Sequence, residues 1–445
     1  MTKPLDQRAK LGLPSGIGLV LSSMIGAGVF LSAGFMAQDL SAGLILLTWV
    51  AGLILALLGV AVYAAVAARV PRSGGEYRYL SDLLHPAFGY LAGWASFLVG
   101  FSAPIAINAL AAEAFLGTLF PLPPHGLVAA ALVVGLTAAH ALDLKASRFT
   151  QDALALAKAL LVALFVALGL VLGSNAWPDW APPNASASFP TSAFARSLFF
   201  VGFAFSGWNA AIYAAGEFAN PRRDVGRSMW IGCLLVGGLY LLVNWVFVAN
   251  LDPGAASAVF RYEQDHVTLG HLVAERLLGT PGGVAMSILA VLAFVSAMST
   301  MIFSGPRVYA AMAQDGYLPR WLAGGEGRPP LWSVVLQGAL ALLLLFTHQL
   351  QQVLQNVGGI LTLFSALVAL ALIRRAFQRS QPDRPGPFAV TAAALYILCA
   401  GWMLYFGFSD EPKLVLWIGV VAAAATGAYA LTARARRRAR SSTDR

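Results

Sequence analysis

The chain has 445 residues, 58% hydrophobic and 11% charged, with a mean hydropathy of +0.72. A soluble globular domain carries roughly 25% charged residues, so the composition excludes a soluble fold and specifies an integral membrane protein. The net charge of +9 invites a nucleic-acid partner, but the basic residues sit between apolar runs and no nucleic-acid binding is expected.

A helix needs ~20 apolar residues to cross the hydrocarbon core. About twelve such runs succeed one another, near 14–37, 41–68, 86–118, 125–142, 152–173, 193–219, 228–250, 281–312, 330–348, 351–373, 387–408 and 412–433. The chain therefore reads as an all-α membrane protein whose termini share one side. With the N-terminus cytoplasmic, 24 of the 29 basic residues fall on the inside, and Arg196, Arg261, Arg276 and Lys413 fall outside. This asymmetry predicts a multi-pass membrane protein with both termini cytoplasmic.

The first run comes after Lys3, Arg8 and Lys10. It lacks a clear small-residue cleavage site and many more runs come after it, so it reads as an uncleaved first helix. Near its middle stands Met24-Ile25-Gly26-Ala27-Gly28-Val29-Phe30. Glycines here predict a break, with a second half-helix starting at about Val29. The free N–H groups of that half-helix attract an anion, and the carbonyls ending the first half attract a cation. Close packing of helices through small residues is the competing reading.

In the third run, Asn108 reads as facing either a cavity or a neighbouring helix, and Glu113 lies near it toward the outer end. The fifth run is apolar except for Lys158, the one basic residue left by the count of charges. A charge inside a span is a functional candidate by default. Lys158 reads either as snorkelling to the interface or as an ammonium held in the bundle. There it would be a fixed cation or a group that exchanges a proton during a cycle. The sixth run carries the second glycine interruption, Phe203-Ala204-Phe205-Ser206-Gly207-Trp208-Asn209, and ends at Glu217, either an arginine-paired inner gate or an interface cap. In the eighth run, Ser296, Ser299 and Thr300 are placed to meet Lys158 or to bond back to their own helix. Cys233 and Cys399 lie in apolar stretches and read as small apolar fillers. No His, Cys and acidic cluster has metal-ligand spacing, so neither a metal nor another cofactor is expected.

Two interrupted helices at corresponding places in two halves of a membrane protein point to a transporter's binding site. Opposed half-helix ends suit a zwitterion, its carboxylate at the N–H groups and its ammonium at the carbonyls. A membrane enzyme would need a nucleophile–base or metal constellation, and none is visible. A channel would need a continuous polar path instead of an enclosed midplane site. With no acidic residue beside either break in the sequence, cationic substrates are disfavoured and neutral ones expected.

Three stretches together resemble the amino acid–polyamine–organocation transporters, and within them the L-type amino acid transporters and their bacterial relatives. They are Ser23-Met24-Ile25-Gly26-Ala27-Gly28-Val29-Phe30, Pro71-Arg72-Ser73-Gly74-Gly75-Glu76-Tyr77, and the sixth run with its exit Gly216-Glu217-Phe218-Ala219-Asn220-Pro221-Arg222-Arg223. The resemblance implies two inverted five-helix repeats over 14–174 and 193–374, flanked by a cytoplasmic N-terminus (1–13), two further helices (387–433) and a basic cytoplasmic tail (434–445) that favours anionic membrane lipid. It implies a secondary transporter of neutral L-amino acids working by alternating access, as a sodium-independent exchanger; proton symport and export are the alternatives. It also implies a substrate site built from Met24, Ile25, Gly26, Ala27, Gly28, Phe203, Ala204, Phe205, Gly207, Trp208 and Asn209. The N–H groups of Ala27 and Gly28 would take the carboxylate, the carbonyls of Met24, Phe203 and Ala204 the amine, with Phe203 as an aromatic lid. Coupling and gating fall to Lys158, Ser296, Ser299, Thr300 and Glu217, with Lys158 standing where sodium-coupled members of the fold bind their ion. Ala27 departs from the commoner serine and removes a hydroxyl contact to the carboxylate. The Phe120–Gly126 loop has no cysteine, so no covalent glycoprotein partner is expected.

Overall fold

A computed structural model describes residues 10–142, 148–182, 188–251, 269–324, 330–347, 350–378 and 383–409, with positions 423, 426–430 and 432. Most of the twelfth predicted run, the basic tail and Arg261 lie outside the described residues. The first run forms α1 (Leu13–Met24) and α2 (Ala27–Met36), and the second forms α3 (Ala42–Ala67). A short α4 (Gly75–Leu83) precedes the third run, which is built from α5 (Pro86–Ala95) and α6 (Ser102–Gly117). Then come α7 (Leu127–Ala141), α8 (Arg148–Leu172), the pair α9 (Thr191–Phe205) and α10 (Ala210–Tyr213), and α11 (Pro221–Asn250). The described chain continues with α12 (Leu269–Gln314), α13 (Leu331–Thr347), α14 (Leu350–Phe377) and α15 (Pro387–Phe408). Among the described residues eight helical segments are long and apolar enough to cross a membrane, and 127–141, 191–205 and 331–346 are shorter apolar helices.

Besides the first run, three others depart from single straight helices. Between α5 and α6, Ser96–Phe101 is wound as a π-helix. Pro104 has no N–H to give the carbonyl one turn back, and within the π-helical turn Ser102 Oγ donates to Phe97 O at 2.9 Å. The helix of the eighth run starts well before residue 281 and bends at Gly279, just ahead of Pro281. The second half of the sixth run is only the four residues of α10 and then a 3₁₀ turn, Ala215–Glu217.

The core gathers around the first run. α1 packs against α11 and α8, α2 against α9, and α12 against α6. On α8, Leu156, Leu160, Leu164 and Val171 are exposed, whereas Ala155, Lys158, Val162, Phe165 and Val166 are buried. The alternation has helical spacing, and it turns Lys158 toward the bundle.

Candidate functional site

The first break is tight. α1 ends at Met24, Ile25 and Gly26 are extended, and α2 begins at Ala27, two residues earlier than the glycine pattern predicts. The second break falls at Ser206-Gly207, where Gly207 has φ +103°. An L side chain rarely adopts that conformation, and a Cβ at Gly207 would stand 2.6 Å from Ser23 Oγ. A Cβ at Gly28 would stand 2.5 Å from Ala204 Cα. The two breaks therefore meet, α1's end on Gly207 and α2's start on the end of α9. This is close packing, one of the two readings of the glycines, and it sets the polar ends of both interruptions side by side.

Those polar ends have partners within the protein. The Ala27 N–H donates to Asn108 Oδ1 at 2.9 Å, and Asn108 is fixed by donating from Nδ2 to Pro104 O at 2.7 Å. The Tyr240 hydroxyl lies 2.5 Å from Met24 O and 3.3 Å from Ala204 O, and so bridges the two helix ends. Phe203 O accepts from the Ser206 N–H at 2.9 Å, and the Phe203 side chain is buried. The groups expected to receive a zwitterion are thus assembled at one junction, with protein side chains on the Ala27 N–H and on the Met24 and Ala204 carbonyls.

Lys158 does not snorkel. It is 3% exposed, and its Nζ donates to Ser22 O at 2.7 Å and Ile25 O at 3.0 Å. Both carbonyls belong to the end of α1, which has no intrahelical donors for them. Ser296 and Thr300 reach Ser22 instead of Lys158. Ser22 Oγ lies 3.1 Å from Ser296 Oγ and 2.8 Å from Thr300 Oγ1, and Thr300 also bonds back to Ser296 O at 3.1 Å. Ser299 pairs with His140 Nε2 at 2.9 Å, a partner that carries no signal in the sequence.

Beside the second break, toward Glu76 and the start of α4, lies a cavity of about 750 Å³, counting its open part. Phe205, Gly207, Trp208 and Asn209 line it, joined by Ser23, Phe101, Tyr213, Met301, Ser304, Ser365 and Tyr396. The other predicted substrate residues lie behind this wall, in the junction. Aromatic edges close its sides, with Trp208 4.7 Å from Tyr63 and Phe101 4.9 Å from Tyr213, centroid to centroid.

Under Asn209 and Tyr213 lies a carboxylate. Glu76 is 6% exposed. Its Oε1 accepts from Asn209 Nδ2 at 2.8 Å and the Tyr63 hydroxyl at 3.1 Å, and its Oε2 accepts from the Tyr213 hydroxyl at 2.9 Å. The Gly74-Gly75 turn delivers it there, since a Cβ on Gly75 would run into the Tyr213 ring. Burial pushes the carboxyl above the ordinary carboxylate range, against hydrogen bonds from its own backbone, Tyr213, Tyr63 and Asn209. In the sequence Glu76 belongs to a loop motif. That motif was its only sequence signal; its basic neighbour Arg78 is paired with Asp315 at 2.5 Å in the fold.

On the same side, Glu217 pairs with Arg307 at 2.6 Å, the arginine-paired alternative of its two readings. The main chain ties the elements there as well, with Leu11 N–H donating to Glu217 O at 2.7 Å and Ala219 N–H to Leu11 O at 3.0 Å. Glu113 does not line the cavity. It caps the start of α7 through the N–H groups of Gly126 and Ala129, at 2.6 and 2.9 Å. Among the described residues no three His, Cys, Asp or Glu side chains could together hold a metal.

Comparison with known proteins agrees with this picture. Residues 11–430 match a family model described as amino acid permease. The large neutral amino acids transporter small subunit 2 of Mus musculus is 29% identical over 433 residues, covering 93% of this chain and 78% of that protein. The b(0,+)-type amino acid transporter 1 of Mus musculus is 26% identical, covering 92% of this chain and 85% of its own length. The Asc-type amino acid transporter 1 of Mus musculus is 26% identical, covering 93% and 79%.

Proposed function

This chain belongs to the amino acid permease family, a family of membrane transporters and not of enzymes, and from that premise we propose that it exchanges neutral L-amino acids by alternating access without sodium. One observation carries the sodium independence. The Lys158 ammonium already bonds the two carbonyls at the end of α1, and a second cation there would meet its repulsion. Neutral substrates are supported by the relatives, whose names include large neutral amino acids, and by a cavity wall of aromatic, small and hydroxyl residues.

In this reading the junction of the breaks is the backbone end of the substrate site. The substrate carboxylate displaces Asn108 Oδ1 from Ala27, and its ammonium competes with Tyr240 for Met24 O and Ala204 O. Trp208 and Asn209 face the side chain. Residues 14–174 and 193–374 form the two inverted repeats, both termini are cytoplasmic in a bacterial inner membrane, and no covalent glycoprotein partner is required. The Glu217–Arg307 pair then closes the cytoplasmic gate.

Counterflow tests this. Purified protein in vesicles preloaded with unlabelled leucine should accumulate labelled leucine equally in sodium and in choline buffer. Linear, non-saturable flux sinks the transporter reading, and accumulation only in sodium sinks the role given to Lys158.

A further inference from the structure

We propose that Glu76 is a proton-binding site, loaded while the floor of the cavity is closed and emptied when that floor opens toward the arginine-rich side. Its geometry differs from an ordinary buried acid in three ways.

First, every group facing it is neutral. Tyr63 comes from α3, Asn209 from the second break and Tyr213 from α10. Behind them stand Ser365 of α14, 3.2 Å from the Tyr63 hydroxyl, and Tyr396 of α15; Tyr79 lies on its own helix. Among the described residues no basic side chain forms an ion pair with Glu76. A carboxylate buried without a cation is driven to bind a proton.

Second, both protonation states can be satisfied without moving an atom heavier than hydrogen. The ionised form accepts from two tyrosines and one asparagine. In the protonated form a carboxyl O–H donates to a tyrosine oxygen whose own hydrogen turns away. Neither state leaves the orphaned polar group that would make exchange of the proton prohibitive.

Third, the site spans elements that alternating access would separate. Asn209 and Tyr213 line the cavity, whereas Tyr63 and Glu76 lie outside it. Opening this floor lets water reach the carboxyl and lowers its proton affinity. By linkage the bound proton favours the closed floor by the same factor.

The direction of release rests on the alternating-access reading; the existence of the site does not. The first measurement therefore needs no transport. Melting of the purified protein in detergent, from about pH 5 to pH 8, should show the wild type losing stability relative to Glu76→Gln as pH rises, because only the wild type charges a buried carboxyl. The second is leucine exchange in phosphatidylethanolamine–phosphatidylglycerol vesicles at equal pH inside and out. The wild-type rate should rise with pH by up to about tenfold per unit below its midpoint, the slope of one titrating group, while Glu76→Gln stays flat. Tyr213→Phe removes one donor to the ionised form and should move the midpoint upward by about one pH unit. If Glu76→Gln tracks the wild type in both melting and exchange, the proposal is overturned. If exchange is absent in every protein, the exchange reading fails on its own and the melting comparison decides this one.

Discussion

At the end of α1 a single ammonium serves two carbonyls, and the chemistry of that site depends on one side chain. Lys158→Ala leaves Ser22 O and Ile25 O without their donor, at about 1–3 kcal/mol for each buried acceptor. Its exchange rate should fall at least tenfold without acquiring dependence on a proton gradient, as initial rates with and without a protonophore would register. Tyr240→Phe removes the hydroxyl between Met24 O and Ala204 O. The lost hydrogen bond should cost about 1 kcal/mol of stability, and the Michaelis constant should change more than the maximal rate if that hydroxyl holds the place of the substrate ammonium. Lys158 was legible because a lysine in an apolar run has few roles. Tyr240 was not, because an aromatic in an apolar run looks like any other filler until the backbone carbonyl it meets is known. Glu76 fell between these cases. Its motif stands out in the sequence, but its burial depends on Tyr213, 137 residues away.

The broken helices show which features of an element are local. Glycine marked both breaks, at 26 and at 207, and the φ of +103° at Gly207 is a freedom that residue itself supplies, although α2 begins two residues earlier than the glycines predict. The length of the half-helix beyond a break is not local. α10 is four residues long because the chain turns into the 3₁₀ segment at Ala215 and pairs with Leu11. The π-helical turn Ser96–Phe101 was equally hidden, since no residue type in it marks a π-helix. Gly28→Ala tests the junction at this scale, since its Cβ would press on the Ala204 backbone, which has no rotamer to yield. We expect the variant to lose exchange while keeping its helical content, as circular dichroism would show. Gly207→Ala adds the strain of φ +103°, roughly 1–2 kcal/mol, to the clash with Ser23, and should lower the melting temperature more than Gly28→Ala.

Across the whole molecule, the number and order of apolar runs came from hydropathy alone, and eleven of the twelve predicted runs coincide with apolar helices among the described residues. Which faces meet did not, because apolar faces toward lipid and toward protein use the same side chains. The gate proposed on the arginine-rich side would join a partly exposed ion pair to a main-chain tie. A pair such as Glu217–Arg307, with side chains 34% and 23% exposed, is worth at most about 1 kcal/mol, so Glu217→Gln should shift the balance of closed and open forms by no more than about fivefold. Labelling of a cysteine at Ser365, in the cavity wall, by a membrane-impermeant maleimide would read that shift. The main-chain tie behaves differently. Leu11 and Ala219 are joined through backbone groups, and only proline lacks the N–H, so side-chain changes at the exposed Ala219 leave the pairing intact. This tie can therefore persist while the residue at 219 drifts, and a comparison of aligned residues would not reveal it. Only proline at 11 or 219 removes a donor, and Ala219→Pro is the substitution to which this otherwise permissive, exposed position should be intolerant.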